Sequence, residues 1–247
     1  MKVVAIVQAR MGSTRLPGKV LKDLEGETML ARVVQRLSRS KLIDEVLIAT
    51  TDRAADDAIV EECRRCAVQV FRGDENDVLD RYFRAAQLAR AEVVVRITSD
   101  CPLIDPGVTD KTIAAFLNPQ GQETPDYASN CIVRTYPRGL DTEVMTAQAL
   151  ERCWRAANQP YERTHVTPYI YEHPGEFKIL SVTGEKDFSK HRWTVDTRED
   201  LEFVRAIYAR LKGRDDFLWP DALTVLDRDA TLMELNRSIV QKALHEG

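Results

Sequence analysis

The chain has 247 residues, 44% of them hydrophobic and 30% charged, a balance that supports a sizeable core and excludes a disordered chain. Its formal net charge of -4 argues against a nucleic-acid partner, so any attraction for phosphate must be local. No apolar run approaches the roughly 20 residues of a membrane span, and the expectation is a soluble, cytoplasmic protein.

Lys2 to Gln8 is a β-branched run that stops at the Gly- and Pro-containing stretch Gly12 to Gly18, which predicts a buried strand followed by a loop. Met29, Val33, Val34 and Leu37 recur with helical spacing, and Glu45 to Thr50 supplies a second strand. Ala54 to Cys66 reads as a helix, Val68 to Phe71 as a strand, Val78 to Ala89 as a helix and Glu92 to Thr98 as a strand. Asn118 to Pro125 is a surface loop by composition. Asp126 to Cys131 and Thr142 to Thr146 are expected as strands, and Ala147 to Ala157 and Tyr161 to Glu172 as helices. Lys178 to Val182 and Arg192 to Val195 follow as strands, then a helix from Arg198 to Leu211. The tail from Asp229 to His245 has an amphipathic helical pattern, suited to packing on the core or on a second subunit of a homodimer. One domain spans 1–247, with 212–247 a helical C-terminal extension.

This alternation predicts an α/β fold: a mostly parallel, doubly wound sheet with helices on both faces, a Rossmann-like arrangement. In such sheets ligands gather outside the carboxyl ends of the strands, so the loops after Gln8, Thr50 and Thr98 are expected to share one crevice. The five cysteines are odd in number and scattered, which suits a reducing compartment. Cys63 and Cys66 form a CxxC pair, but no second pair completes a metal site.

The loop Gln8-Ala9-Arg10-Met11-Gly12-Ser13-Thr14-Arg15-Leu16-Pro17-Gly18-Lys19 concentrates three cations and two hydroxyls. Glycine allows amide hydrogens to converge on an anion, and arginine presents a planar fork to phosphate oxygens. Singly these charges would be ordinary solvated groups; together, at the end of the first strand, they describe a phosphate cradle. The loop is neither a Walker P-loop nor a GxGxxG turn.

At these residues the sequence resembles the cytidylyltransferases that activate 3-deoxy-manno-octulosonate and acylneuraminate, whose signature Ala-Arg-x-x-Ser-x-Arg-x-Pro-x-Lys is met at Ala9, Arg10, Ser13, Arg15, Pro17 and Lys19. Gln8, the run Gly73 to Tyr82 and the run Glu162 to Tyr169 are most similar to the SpsF-like spore coat polysaccharide branch. The resemblance covers about residues 1–210 and implies a nucleotide-diphospho-sugar transferase type of fold, CTP and a sugar as substrates, and Mg2+ as cofactor. It puts Ala9, Arg10, Gly12, Ser13, Arg15 and Lys19 on the nucleotide, with Arg10, Lys19 and Asp100 catalytic. It also sets Asp77 to Arg81, Asp80 included, beside the base and ribose.

Asp100 ends the strand Glu92 to Thr98, where a hard oxygen ligand suits magnesium. Asp196 stands before Thr197 and an acidic first turn; Glu199 and Asp200 have a sufficient explanation as helix-capping residues, and Asp196 does not. The resemblance makes Asp100 and Asp196 the metal pair. On the acceptor side Arg138, Glu143, Arg163 and His165 are the sugar-binding candidates, a cation there suiting a sugar carboxylate; His165 is equally accounted for as a structural hydrogen-bonding imidazole. Alternatives on the same sheet are a sugar-1-phosphate nucleotidylyltransferase and a nucleotide-sugar-dependent glycosyltransferase. A noncatalytic nucleotide-binding partner in a polysaccharide pathway is the alternative from another class.

Overall fold

Every side chain from Val3 to Val7 is buried, the mark of a strand covered on both faces. The computed structural model, which describes residues 1–119 and 123–241, puts that strand at the centre of the sheet. The strands are β1 (Val3–Gln8), β2 (Asp23–Leu24), β3 (Glu27–Thr28), β4 (Glu45–Thr51), β5 (Gln69–Gly73), β6 (Val93–Thr98), β7 (Tyr127–Ser129), β8 (Glu143–Thr146) and β9 (Ile179–Ser181). The helices are α1 (Met29–Leu37), α2 (Asp57–Arg65), α3 (Val78–Leu88), α4 (Pro106–Leu117), α5 (Ala147–Ala156), α6 (Pro160–His165), α7 (Pro168–Glu172), α8 (Arg198–Arg210) and α9 (Trp219–Arg228).

The seven-stranded sheet runs β5-β4-β1-β6-β8-β7-β9, and β2 and β3 form a separate antiparallel pair. β5, β4, β1 and β6 are parallel, β8 is antiparallel to both β6 and β7, and β9 is parallel to β7. Alternation along β1 divides the core. Val3, Ala5 and Val7 pack with Met29, Ile59, Ile113 and Phe203 of α1, α2, α4 and α8. Val4 and Ile6 face the other way, onto Leu79, Tyr82 and Leu150 of α3 and α5. The doubly wound, mostly parallel sheet read from the sequence is the fold observed. Gln8 lies opposite Ala49 and Thr98 in register, so the chain leaves β1, β4 and β6 along one edge.

The structure differs from the sequence reading in five segments. α4 and the β2–β3 pair fall where no element was expected, and α9 lies within the helical extension expected over 212–247. α4 hides its buried face behind Thr109 and Thr112, both fully inaccessible, and α9 starts at Leu218 without a Ser, Thr, Asp or Asn cap. The single helix expected over Tyr161 to Glu172 is two, α6 and α7, because Val166 has φ of 76° and Pro168 opens a new first turn. Arg192 to Val195 is extended but joins the fold through one isolated bridge, Arg192 to Arg138, instead of a strand. Of the tail expected to be helical from Asp229 to His245, Ala230–Glu234 is a 3-10 turn, residues 235–238 are bends and turns and 239–241 have no regular structure, while 242–247 lie outside the described residues. Residues 120–122 of the loop Asn118 to Pro125 also lie outside them. Phe217, Ala222, Leu226 and Leu232 of the C-terminal segment belong to the core that covers the α1 and α8 face.

Candidate active site

The loop after β1 is pinned at its base by Asp56, whose side chain is 2% exposed. One Asp56 oxygen accepts the Met11 amide at 2.8 Å; the other accepts Thr50 Oγ1 at 3.0 Å, Thr51 Oγ1 and the Thr51 amide. A buried carboxylate thus fastens the cationic loop to the end of β4. Further along, the Met11 carbonyl accepts the amides of Ser13 and Gly18, Ser13 Oγ accepts the Leu16 amide, and Gly18 turns the chain at φ 65° into a 3-10 turn that carries Lys19 inward. Gly12 stands outside the cleft lining and faces Glu75, so its part in the loop is confined to the backbone.

Lys19 Nζ donates to Asp100 Oδ2 at 3.0 Å, to Asp196 Oδ1 at 2.9 Å and to the Val195 carbonyl at 2.8 Å, which uses all three ammonium hydrogens. Burial would lower the lysine pKa, and the two carboxylates more than reverse this, holding it above its usual value. For Asp100 the balance runs the other way: burial favours the neutral acid, and the Lys19 charge overrides it, so the carboxyl sits below its usual range. Arg15 adds a second cation to Asp196 Oδ1 at 3.1 Å.

The remaining Asp196 oxygen, Oδ2, accepts Arg192 Nη2 at 2.9 Å. Arg192 in turn grips Asp200 through Nε and Nη2, both at 2.9 Å, and Asp200 also accepts the amides of Asp196 and Thr197. Asp200 therefore caps α8, as its sequence pattern suggested, and also buttresses the segment that carries Asp196.

These groups open onto a cleft of about 440 Å³ lined by Ala9, Arg10, Ser13, Arg15, Lys19, Asp100 and Asp196, together with Arg138, Asp141 and His165. Its floor holds Arg96, a lone cation within the apolar strand β6. Arg96 Nη1 pairs with Glu143 Oε2 at 2.9 Å, and Nη2 reaches Gln8 Oε1. Burial opposes the arginine charge, and Glu143 more than restores it. Glu143 itself is spent on Arg96 and Thr167 and does not line the cleft. Arg138 makes no ion pair among the described residues, and burial, followed by the charge of Arg134, lowers its pKa.

Besides Gly12 and Glu143, two more expected site residues stand outside the cleft lining. Asp80 lies on α3 with its oxygens engaged by Trp154 Nε1 at 2.9 Å and Arg84 Nε at 2.6 Å, outside the cleft lining. Arg163 is clamped on Asp77 and on the Trp154 carbonyl, tying α6 to the start of α3. In both cases a helical neighbour unseen at the level of sequence consumes the charge. The sequence reading also missed Asp56, Arg96 and Arg192; of these, Arg96 alone carried a signal, a charge inside an otherwise apolar strand.

Among the described residues no three His, Cys, Asp or Glu side chains converge as a metal cage. Asp100 and Asp196 do converge, on the Lys19 ammonium, and two hard carboxylates beside a cationic loop are a donor set of the kind that holds magnesium jointly with phosphates and water. The residues present fit that ion.

A family model described as cytidylyltransferase matches residues 4–219. The spore coat polysaccharide biosynthesis protein SpsF of Bacillus subtilis is 35% identical over 235 residues, 92% of this chain and 95% of its own. A 3-deoxy-manno-octulosonate cytidylyltransferase of Anaeromyxobacter dehalogenans is 38% identical over 240 residues, 84% of this chain and 98% of its own. The solved structure of a cytidylyltransferase from Leptospira borgpetersenii superposes with a TM-score of 0.91 at 37% identity, covering 98% of this chain and all of that one. Among the described residues no helix is long and apolar enough to cross a membrane.

Proposed function

The chain is an enzyme of the cytidylyltransferase family, and on that footing we propose that it transfers CMP from CTP to a hydroxyl of a polar sugar, an ulosonic acid or a relative, releasing pyrophosphate and supplying a CMP-sugar for surface polysaccharide synthesis. The observation that carries this reading is the contact of one ammonium, Lys19, with both Asp100 and Asp196. It brings the cationic loop and the carboxylate pair to one cleft, which supports a triphosphate bound there.

In this reading Ala9, Arg10, Ser13, Arg15 and Lys19 bind the nucleotide, with the Gly12 backbone shaping the turn. Arg10 and Lys19 stabilise the charge that develops on the departing pyrophosphate, a role in which the guanidinium and ammonium act by position. Asp100 and Asp196 would hold Mg2+, which supplies charge neutralisation and acidifies the attacking hydroxyl when bound. Arg138 is the strongest acceptor-side candidate, because it is a desolvated cation in the cleft without an ion-pair partner among the described residues, suited to a carboxylate. His165 also lines the cleft, and Glu143 serves indirectly by orienting Arg96. Asp80 and Arg163 have no part in binding substrate.

A pyrophosphate-release screen decides the matter. CTP, UTP, ATP and GTP are each paired with a panel of ulosonic acids and sugar phosphates in the presence of Mg2+. Turnover with CTP and an ulosonic acid is the expected result. Turnover confined to a sugar 1-phosphate would replace the acceptor assignment, and silence with every CTP pair would leave a nucleotide-binding partner in its place.

A further inference from the structure

After residue 219, where the family match ends, the chain folds over α8 and returns to the site. Asn236 is 6% exposed and donates both hydrogens of its amide: one to the Arg192 carbonyl, one to Asp200 Oδ1, each at 3.0 Å. Five residues on, Gln241 Oε1 accepts Arg192 Nη1, and the Gln241 side chain reaches the cleft wall. Arg192 and Asp200 are the two groups that hold Asp196.

We propose that Asn236 is a positioning residue for Asp196, acting through Arg192 and Asp200, and that the C-terminal segment is thereby a working part of the cleft. The chemistry lies in how the two oxygens of Asp196 are divided. Oδ2 is fixed by Arg192, which leaves Oδ1 turned toward Lys19 and Arg15. Arg192 keeps that orientation only while its own fork is held. Nε and Nη2 rest on Asp200, whose Oδ1 is shared with Asn236, and Nη1 rests on Gln241. Without the Asn236 amide, Asp200 loses one donor in a fully buried site, and the Arg192 carbonyl loses its side-chain partner. Partners one step behind a ligand set its orientation, and their loss commonly weakens metal affinity about 10- to 100-fold.

The inference rests on the metal-holding role proposed for Asp196. The test is binding of Mn2+ to the full-length protein with CTP present, read from the paramagnetic signal of the free ion, with the melting temperature recorded alongside. Asn236→Ala is expected to weaken Mn2+ binding about tenfold in a folded protein. Gln241→Ala, which removes only the outer contact to Arg192, is expected to shift it less and in the same direction, and it decides the question should Asn236→Ala not fold. Mn2+ affinity unchanged in the folded variants while Asp196→Asn abolishes binding would overturn the positioning role and leave the function intact. Unchanged affinity in Asp196→Asn itself would remove the ground of the functional reading, and the inference would fall with it.

Discussion

Lys19 and Asp100 lie 81 residues apart in the chain and 3.0 Å apart in the fold, and the same ammonium reaches Asp196 at 2.9 Å. One lysine therefore neutralises both carboxylates, with Arg15 and Arg192 completing a cluster in which each acid faces a cation. A divalent ion held by Asp100 and Asp196, as proposed, would compete with Lys19 for the same oxygens, and a triphosphate bound with it would offer the lysine a new partner.

Lys19→Met removes the cation and leaves two carboxylates facing each other. Breaking such a pair costs roughly 3 kcal/mol when largely buried. The expected outcome is a lowered melting temperature that Mg2+ raises more in the variant than in the parent protein, together with loss of turnover. Equal Mg2+ shifts in both proteins, measured by thermal denaturation, would contradict the competition.

Asp100→Asn keeps the shape of the side chain and removes its charge. Turnover should fall at least about 10²- to 10³-fold, the usual loss for a charged contact made in the transition state. The protein should stay folded, because Asp196 still holds Lys19. Near-normal pyrophosphate release with CTP and the accepted sugar would remove Asp100 from the chemistry.

Asp56→Asn replaces a carboxylate that accepts four hydrogen bonds with an amide that cannot serve all four donors. Stability should drop by about 2 kcal/mol. The cationic loop hangs from the Met11 contact, so KM for CTP should rise more than KM for the sugar. A rise shared equally by both substrates would show that the anchor does not act through the loop.

Gly139 has φ of 108°, and a Cβ added there would lie 2.7 Å from the Trp193 carbonyl carbon and 2.9 Å from the Thr194 amide nitrogen. Gly139→Ala must push the segment that leads to Asp196 away from Arg138, at a cost of at least about 2 kcal/mol for the backbone strain and overlap together. Denaturant unfolding measures the loss; a variant as stable as the parent would mean that the segment yields freely.

Burial pushes the Cys63 thiol up to about 12, and Cys66, half-buried one helical turn on, is raised less far. Thiolate is the reactive species, so alkylation of the folded protein near neutral pH should mark Cys66 first and Cys63 only as the chain unfolds. Rapid labelling of Cys63 in the native state, detected by mass spectrometry, would contradict this order.

The parallel half of the sheet was legible because β1, β4 and β6 are buried on both faces and bounded by loop residues, so hydrophobic runs and turn signals coincide. The cationic loop was legible for a related reason: arginine, lysine, glycine and hydroxyl residues lie together along one stretch of chain. Asp100 and Asp196 were readable one at a time, as acids at the ends of extended runs. α4 escaped notice because buried threonines look polar in a one-dimensional pattern.

Local order along the chain thus determined the fold class and the make-up of the cationic loop, since both depend on residues that are neighbours in sequence. Which charges are free to act was settled only when the elements packed. Asp80 and Arg163 looked as available as Arg138, yet Trp154, Arg84 and Asp77 occupy the first two and leave Arg138 in the cleft. A charge acts on a ligand only if no nearer partner has claimed it; Arg84 sits one helical turn from Asp80, but the contacts of Trp154 with Asp80 and of Asp77 with Arg163 join segments whose separation in sequence carries no record of their distance in space.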